Sequence, residues 1–147
     1  MPMPTWGKAA KIDLLRRMEL FSTCSQRELA QVAALTVQAH FDAGAVLTRQ
    51  GVSGGLAFVI AKGRADVTRG GRRLATLGPG DVVGELSLID GGPRSATVTA
   101  VSDVEVLEIS GEDLQRLLRK APSVVRKLLE ALSIRLRQAD RLPTAGL

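Results

Sequence analysis

Glu85 and Arg94 sit close together in the stretch GELSLIDGGPRSATV, between a glycine and an alternating apolar run. Arg94 is a permanent planar cation that can hold two phosphate oxygens at once. Ser95 adds a hydroxyl that donates and accepts. Gly84 permits close backbone approach by a ligand. The residues from Glu85 to Leu88 suit a single helical turn, whose first amides are free to meet an anion. Glu85 carries the wrong charge for a phosphate. A carboxylate beside an anion site makes sense where the ligand also carries hydroxyls, because its oxygens only accept hydrogen bonds. Phosphate and sugar hydroxyl together point to a nucleotide; an ordinary surface ion pair is the plainer explanation for two such residues alone.

These residues need a scaffold, and the chain supplies three textures. From about Lys8 to Leu35 the pattern is helical, with apolar faces built from Ile12, Leu15, Met18 and Phe21. Ser25 and Glu28 have capping-box spacing, which predicts a helix from Gln26 to about Leu35. From about 36 to 109, short runs of Val, Ile, Leu, Thr and Phe alternate with glycine-bearing turns, the pattern of a β-sandwich, jelly roll or barrel. From 110 to about 140 the pattern returns to helix. Ser110 and Asp113 form a cap pair, and Pro122 suits the first position of the next helix. Val125, Leu129, Leu132, Leu136 and Ala139 then make an apolar stripe, and Pro143 and Gly146 end the helix. That stripe serves core packing or a dimer contact. No linker divides 8–140, so one domain is expected.

Composition narrows the class. The chain has 147 residues, 45% hydrophobic and 24% charged, as for a globular domain. Its apolar runs are too short to span a bilayer, and the N-terminus lacks a signal-peptide core. A single cysteine, Cys24, excludes an internal disulfide framework and suits a reducing, cytoplasmic setting. The net charge of +5 is spread without long basic runs, and aromatic residues are only 3%, which disfavours nucleic acid as a partner. His40 is the only histidine, so neither a metal cluster nor a catalytic triad is assembled from histidines, and no enzyme activity or metal is expected. Cys24 lacks an obvious base, Asp90 reads as a turn residue, and Trp6 either anchors the first helix or hangs free.

Several spaced motifs, in order, carry a wider resemblance. LGPGDVVGELSLIDGGPRSATVTA resembles the phosphate-binding cassette of the cyclic-nucleotide-binding domain family, found in catabolite-activator-type regulators, cyclic-nucleotide-dependent kinases and gated channels. FDAGAVLTRQG resembles the family's entry strands, FVIAKGRADV its central hairpin, and VEVLEISGEDLQRLLRKAP its last strand and following helix. The resemblance implies a double-stranded β-helix, a jelly-roll-like β-roll of about eight strands, with N-terminal helices and a C-terminal helical lid. It implies a non-enzymatic sensor of cAMP, with cGMP as the alternative ligand and no other cofactor. Gly84 would start the short helix and Glu85 would hold the ribose 2′-hydroxyl. The backbones of Leu86 and Ser87 would face ribose and phosphate, Arg94 would pair with the phosphate, and Ser95 would support it. Val83 and Val82 would line the base pocket. Some family members cap the base with an aromatic ring from the C-terminal region; here no Phe, Trp or Tyr follows Phe58. The cap would be Leu132 or Leu136, or polar through Arg135 or Gln138. Expected partners are the nucleotide, an unnamed effector protein and a second copy through the last helix. A phosphodiesterase would need a metal cluster or a poised base, which the sequence does not display. A degenerate fold acting as an interaction module fits poorly with intact Glu85 and Arg94. A DNA-binding regulator would append a helix-turn-helix after the long helix, whereas this sequence stops soon after Asp140. Met1 and the lack of an obvious cut are what a complete product would show.

Overall fold

The computed structural model describes residues 5–140. Pro143 and Gly146, assigned to the end of the last helix, lie outside them. The chain runs through α1 (Lys8–Leu15), a 3-10 turn (Glu19–Phe21), α2 (Gln26–Ala33), β1 (Val37–Phe41), β2 (Val46–Thr48), β3 (Leu56–Lys62), β4 (Ala65–Arg69), β5 (Arg72–Leu77) and β6 (Val82–Val83). It continues through α3 (Ser87–Asp90), β7 (Thr97–Ala100), β8 (Val104–Ser110), α4 (Gly111–Lys120) and α5 (Pro122–Asp140). The fold is an eight-stranded antiparallel roll with flanking helices, in two four-stranded sheets ordered β1-β8-β3-β6 and β2-β7-β4-β5.

The predicted central hairpin is not a paired hairpin. β3 and β4 are joined at Gly63, but β3 pairs with β6 and β8 whereas β4 pairs with β5 and β7. The chain changes sheets at Gly63, whose φ is +93° and where a Cβ would lie 2.1 Å from the carbonyl oxygen of Asp103. Glycine is therefore needed both for its conformation and for the close crossing.

Strand alternation divides the interior in two. Phe58 and Ile60 of β3, with Val104 and Val106 of β8, face the second sheet and pack with Ala65, Val83, Val98 and Ala100. Ala57 and Val59, with Leu107 and Ile109, face the helices and pack with Leu15, Phe21, Leu29, Leu88, Leu114 and Leu128. β3 reads as a continuous apolar run because both of its faces are covered.

The helix starts follow their caps. The Ser25 side chain accepts from the Glu28 amide at 3.2 Å, and Glu28 accepts from the Ser25 amide at 2.8 Å. The amide of Asp113 donates to the Ser110 hydroxyl at 3.0 Å. α2 stops at Ala33, short of Leu35, because the Leu35 and Thr36 amides turn back to Val32 and Ala33. Trp6 is an anchor: its amide donates to Gln38 at 2.6 Å and its ring packs on the helical core.

The stripe expected on the last helix is displaced. The buried residues of α5 are Val124, Leu128 and Ala131, whereas Leu129 and Leu136 are 62% and 68% exposed. Two overlapping apolar stripes run along this helix, and packing selects the one a step earlier. The Thr23 hydroxyl donates to the Lys127 carbonyl at 2.7 Å on the packed side of the chain. No helix among the described residues is long and apolar enough to cross a membrane.

Candidate functional site

The short helix begins where β6 leaves the sandwich. Gly84 has φ +76°, open to glycine at little cost, and redirects the chain away from Val83. Bonds from Ser87 to Gly84, Leu88 to Glu85 and Ile89 to Leu86 wind the first turn. The regular helix is thus Ser87–Asp90, later than the Glu85–Leu88 turn expected, with the tighter lead-in supplying the difference. The amides of Glu85 and Leu86 donate to no backbone carbonyl among the described residues. Gly91, at φ +61°, ends the helix in the left-handed region, and Asp90 accepts the Gly92 amide at 2.8 Å, the turn role foreseen for it.

Arg94 is fixed from both ends. Its amide donates to the Val52 carbonyl at 3.0 Å, and its carbonyl accepts from Gly51 at 2.9 Å. Its side chain passes between two glycines. A Cβ on Gly54 would lie 2.0 Å from Nε, and one on Gly84 would lie 1.9 Å from Nη1. Nη2 donates to the Leu56 carbonyl, while Nη1 is buried without a hydrogen-bond partner among the described residues. Burial holds the guanidinium pKa below its ordinary value. An unpaired buried donor is costly, so the site favours an acceptor at that nitrogen.

A cavity of about 570 Å³ opens beside this cation. Val83, Gly84, Glu85, Leu86, Ser87, Arg94 and Ser95 all line it, as does Val82. Its apolar side is completed by Val67, Leu77 and Val98. Those three were absent from the sequence-based site; the period-two alternation of β4, β5 and β7 is the signal that could have found them. Gly54 also escaped notice, because its role depends on a side chain forty residues away. Of the four proposed caps, Arg135 alone reaches the cavity. Leu132 packs against the helical core, and Leu136 and Gln138 are exposed.

Glu85 is already engaged. Its Oε1 accepts the Leu20 amide at 2.5 Å, and its Oε2 lies 3.8 Å from Arg135 Nη1. Burial raises its pKa, opposed by the Leu20 hydrogen bond and by Arg135. The site therefore sets two cations, the carboxylates of Glu85 and Asp90 and the amides that open a helical turn around an apolar wall. That is a place for a ligand with an anionic group, hydroxyls and a flat apolar body.

The other chemistry-bearing residues stand apart. Cys24 is buried, and its thiol is pushed up to about 11, chiefly by burial. His40 pairs with Asp42 at 3.1 Å on the surface near Asp103, away from the cavity.

Comparison with known proteins identifies the family. A family model described as the cyclic nucleotide-binding domain matches residues 38–121. The cyclic AMP receptor protein of Thermus thermophilus is 44% identical over 96 residues, covering 62% of this chain and 44% of that protein. The CRP-like cAMP-activated global transcriptional regulator of Mycobacterium tuberculosis is 31% identical over 136 residues, covering 87% of this chain and 59% of its own. The chain thus spans about half the length of these curated relatives. Among solved structures, the N-terminal domain of a transcriptional regulator from Streptomyces coelicolor A3(2) superposes with a TM-score of 0.78 at 35% identity, covering 87% of this chain and 92% of that one. From the cassette, the roll and the matched residues alike, the chain belongs to the cyclic nucleotide-binding domain family.

Proposed function

We propose that this domain, residues 8–140, binds cAMP in the cavity beside α3 and works as a non-enzymatic sensor. The observation that carries the reading is the buried Arg94 guanidinium beside the cavity, one nitrogen of which has no hydrogen-bond partner among the described residues. The cyclic phosphate meets that nitrogen and the amides at the start of α3, with Ser95 beside it. Glu85 accepts the ribose 2′-hydroxyl. Val82 and Val83 face the base, and Arg135 reaches the cavity where it pairs with Glu85. The names of the Thermus and Mycobacterium relatives favour cAMP over cGMP.

Binding is passed on by population shift. The ligand neutralises Arg94 and orders the cassette, and α5 repacks to the extent that the ligand prefers the closed arrangement. Leu129 and Leu136 offer an apolar strip on α5 to a second copy. The cytoplasm suits a sensor with one thiol, and its output is the control of an effector.

Calorimetry with cAMP and cGMP, on this chain and on Arg94→Ala, tests the reading. The substitution weakens cAMP binding by about 1.5 to 3 kcal/mol, as for a lost charged hydrogen bond. Unchanged affinity would place the phosphate elsewhere.

A further inference from the structure

We propose that Arg135 is a specificity-determining residue of this pocket, because it holds the carboxylate that a ligand's 2′-hydroxyl must win. The proposal rests on the nucleotide reading above. Glu85 projects from the cassette, and both of its oxygens are engaged by other parts of the chain. Oε1 takes the Leu20 amide of the 3-10 turn at 2.5 Å, and Oε2 faces Arg135 of α5 at 3.8 Å. Arg135 is itself divided, since its Nε lies 3.5 Å from Glu19 Oε2. The Glu85 side chain is 13% exposed and that of Arg135 is 43% exposed, so the acid is confined while the cation can withdraw into solvent.

A carboxylate accepts more than one hydrogen bond, but each donor draws it in its own direction. A sugar hydroxyl in the cavity draws Glu85 away from Arg135. The hydrogen bond it forms is therefore worth its own strength less that of the weakened ion pair. A ligand without the hydroxyl leaves the pair untouched. Arg135 thereby narrows the preference of the pocket for ribose over deoxyribose. Glu19 acts the other way, as a positioning residue that shares Arg135 and keeps it from closing fully on Glu85.

The opposed signs make the proposal testable with cAMP and 2′-deoxy-cAMP, titrated against the full chain and two variants. In Arg135→Leu, cAMP binds about two- to fivefold more tightly, the range for loss of a partly exposed ion pair. Binding of 2′-deoxy-cAMP is unchanged, so the ratio of the two dissociation constants widens by the same factor. In Glu19→Gln the ratio contracts. A merely structural role for Arg135 would move both nucleotides together, and a direct ligand contact would weaken both; either result overturns the proposal. Tight cAMP binding with an unaltered ratio in both variants overturns this inference alone. Failure of the unaltered chain to bind either nucleotide overturns the nucleotide reading with it.

Discussion

The two interior cores differ in what they hold together. The sandwich core joins strand to strand, with Phe58 and Phe41 edge to face at 5.7 Å and Val98 and Val104 around them. The helical core joins the outer face of one sheet to α1, α2, α4 and α5. The cassette belongs to both: Val83 lies in the sandwich core and Leu88 in the helical core. The candidate ligand residues Gly84 to Ser87 span the passage between them. On the proposed reading, a ligand bound at this crossing biases helix packing while the sandwich stays as it is.

Mutations can break or sharpen that contrast. The largest effect is expected from Phe58→Ala, which should cost about 3 to 5 kcal/mol by urea denaturation, as for loss of a buried aromatic ring. Leu88→Ala should cost about 2 to 5 kcal/mol, and it should also weaken cAMP binding. If equally destabilising changes in the two cores weakened binding equally under folded conditions, the division of labour would be wrong. Gly54→Ala separates site from scaffold. The new methyl would lie 2.0 Å from Arg94 Nε, so the guanidinium must leave its slot, while neither hydrophobic core is touched and the urea midpoint should change little. Binding should still fall by about 1.5 to 3 kcal/mol, as in Arg94→Ala, because the guanidinium loses its slot. A smaller loss, about 1 kcal/mol, is expected for Ser25→Ala, which removes the cap of α2 in the helical layer.

The smallest effect is a pH dependence. The Ser25 amide, donating to Glu28, is the chief cause holding that carboxyl below its ordinary value of 4.5. A lowered folded-state pKa means stability that is present above about 4.5 and lost as the pH falls through the folded value. Glu28→Gln should therefore flatten the acid limb of the stability profile. Glu85 has the opposite sign. Its pKa is raised by burial, so folding favours its protonated form and its contribution improves as the pH falls toward the ordinary carboxylate value. Urea midpoints across the acid range would separate the two slopes.

Local chemistry was the legible part of this sequence. Turn glycines, the Ser25 and Ser110 caps, Pro122 at the helix start and the alternation within strands all act over a few residues. They were enough for a sandwich, jelly roll or barrel with flanking helices, and the resemblance of the spaced motifs narrowed this to the roll and the cassette. Features decided by distant partners were not. The rotation of α5 is decided by packing on the helical core, where Val124 and Leu128 are buried, and Val125 or Val124 would serve equally well by spacing alone. The separation of β3 from β4 depends on β8, which arrives some forty residues later. Gly54 looks like one more loop glycine until Arg94 lies across it. Arg135 was one of four candidates because residues 132 to 138 span nearly two turns of α5, and which of them meets the cavity is decided by packing with distant elements.

The contact between Leu20 and Glu85 offers a way to watch the pocket from elsewhere. A single amide proton on the 3-10 turn is tied to the acid of the cassette, 65 positions along the chain. Its exchange with deuterium, or its chemical shift, reports the state of that carboxylate without any label placed near the ligand. If the turn lets go when the cavity fills, this proton becomes an intrinsic probe of signalling, readable in solution before any downstream component is known.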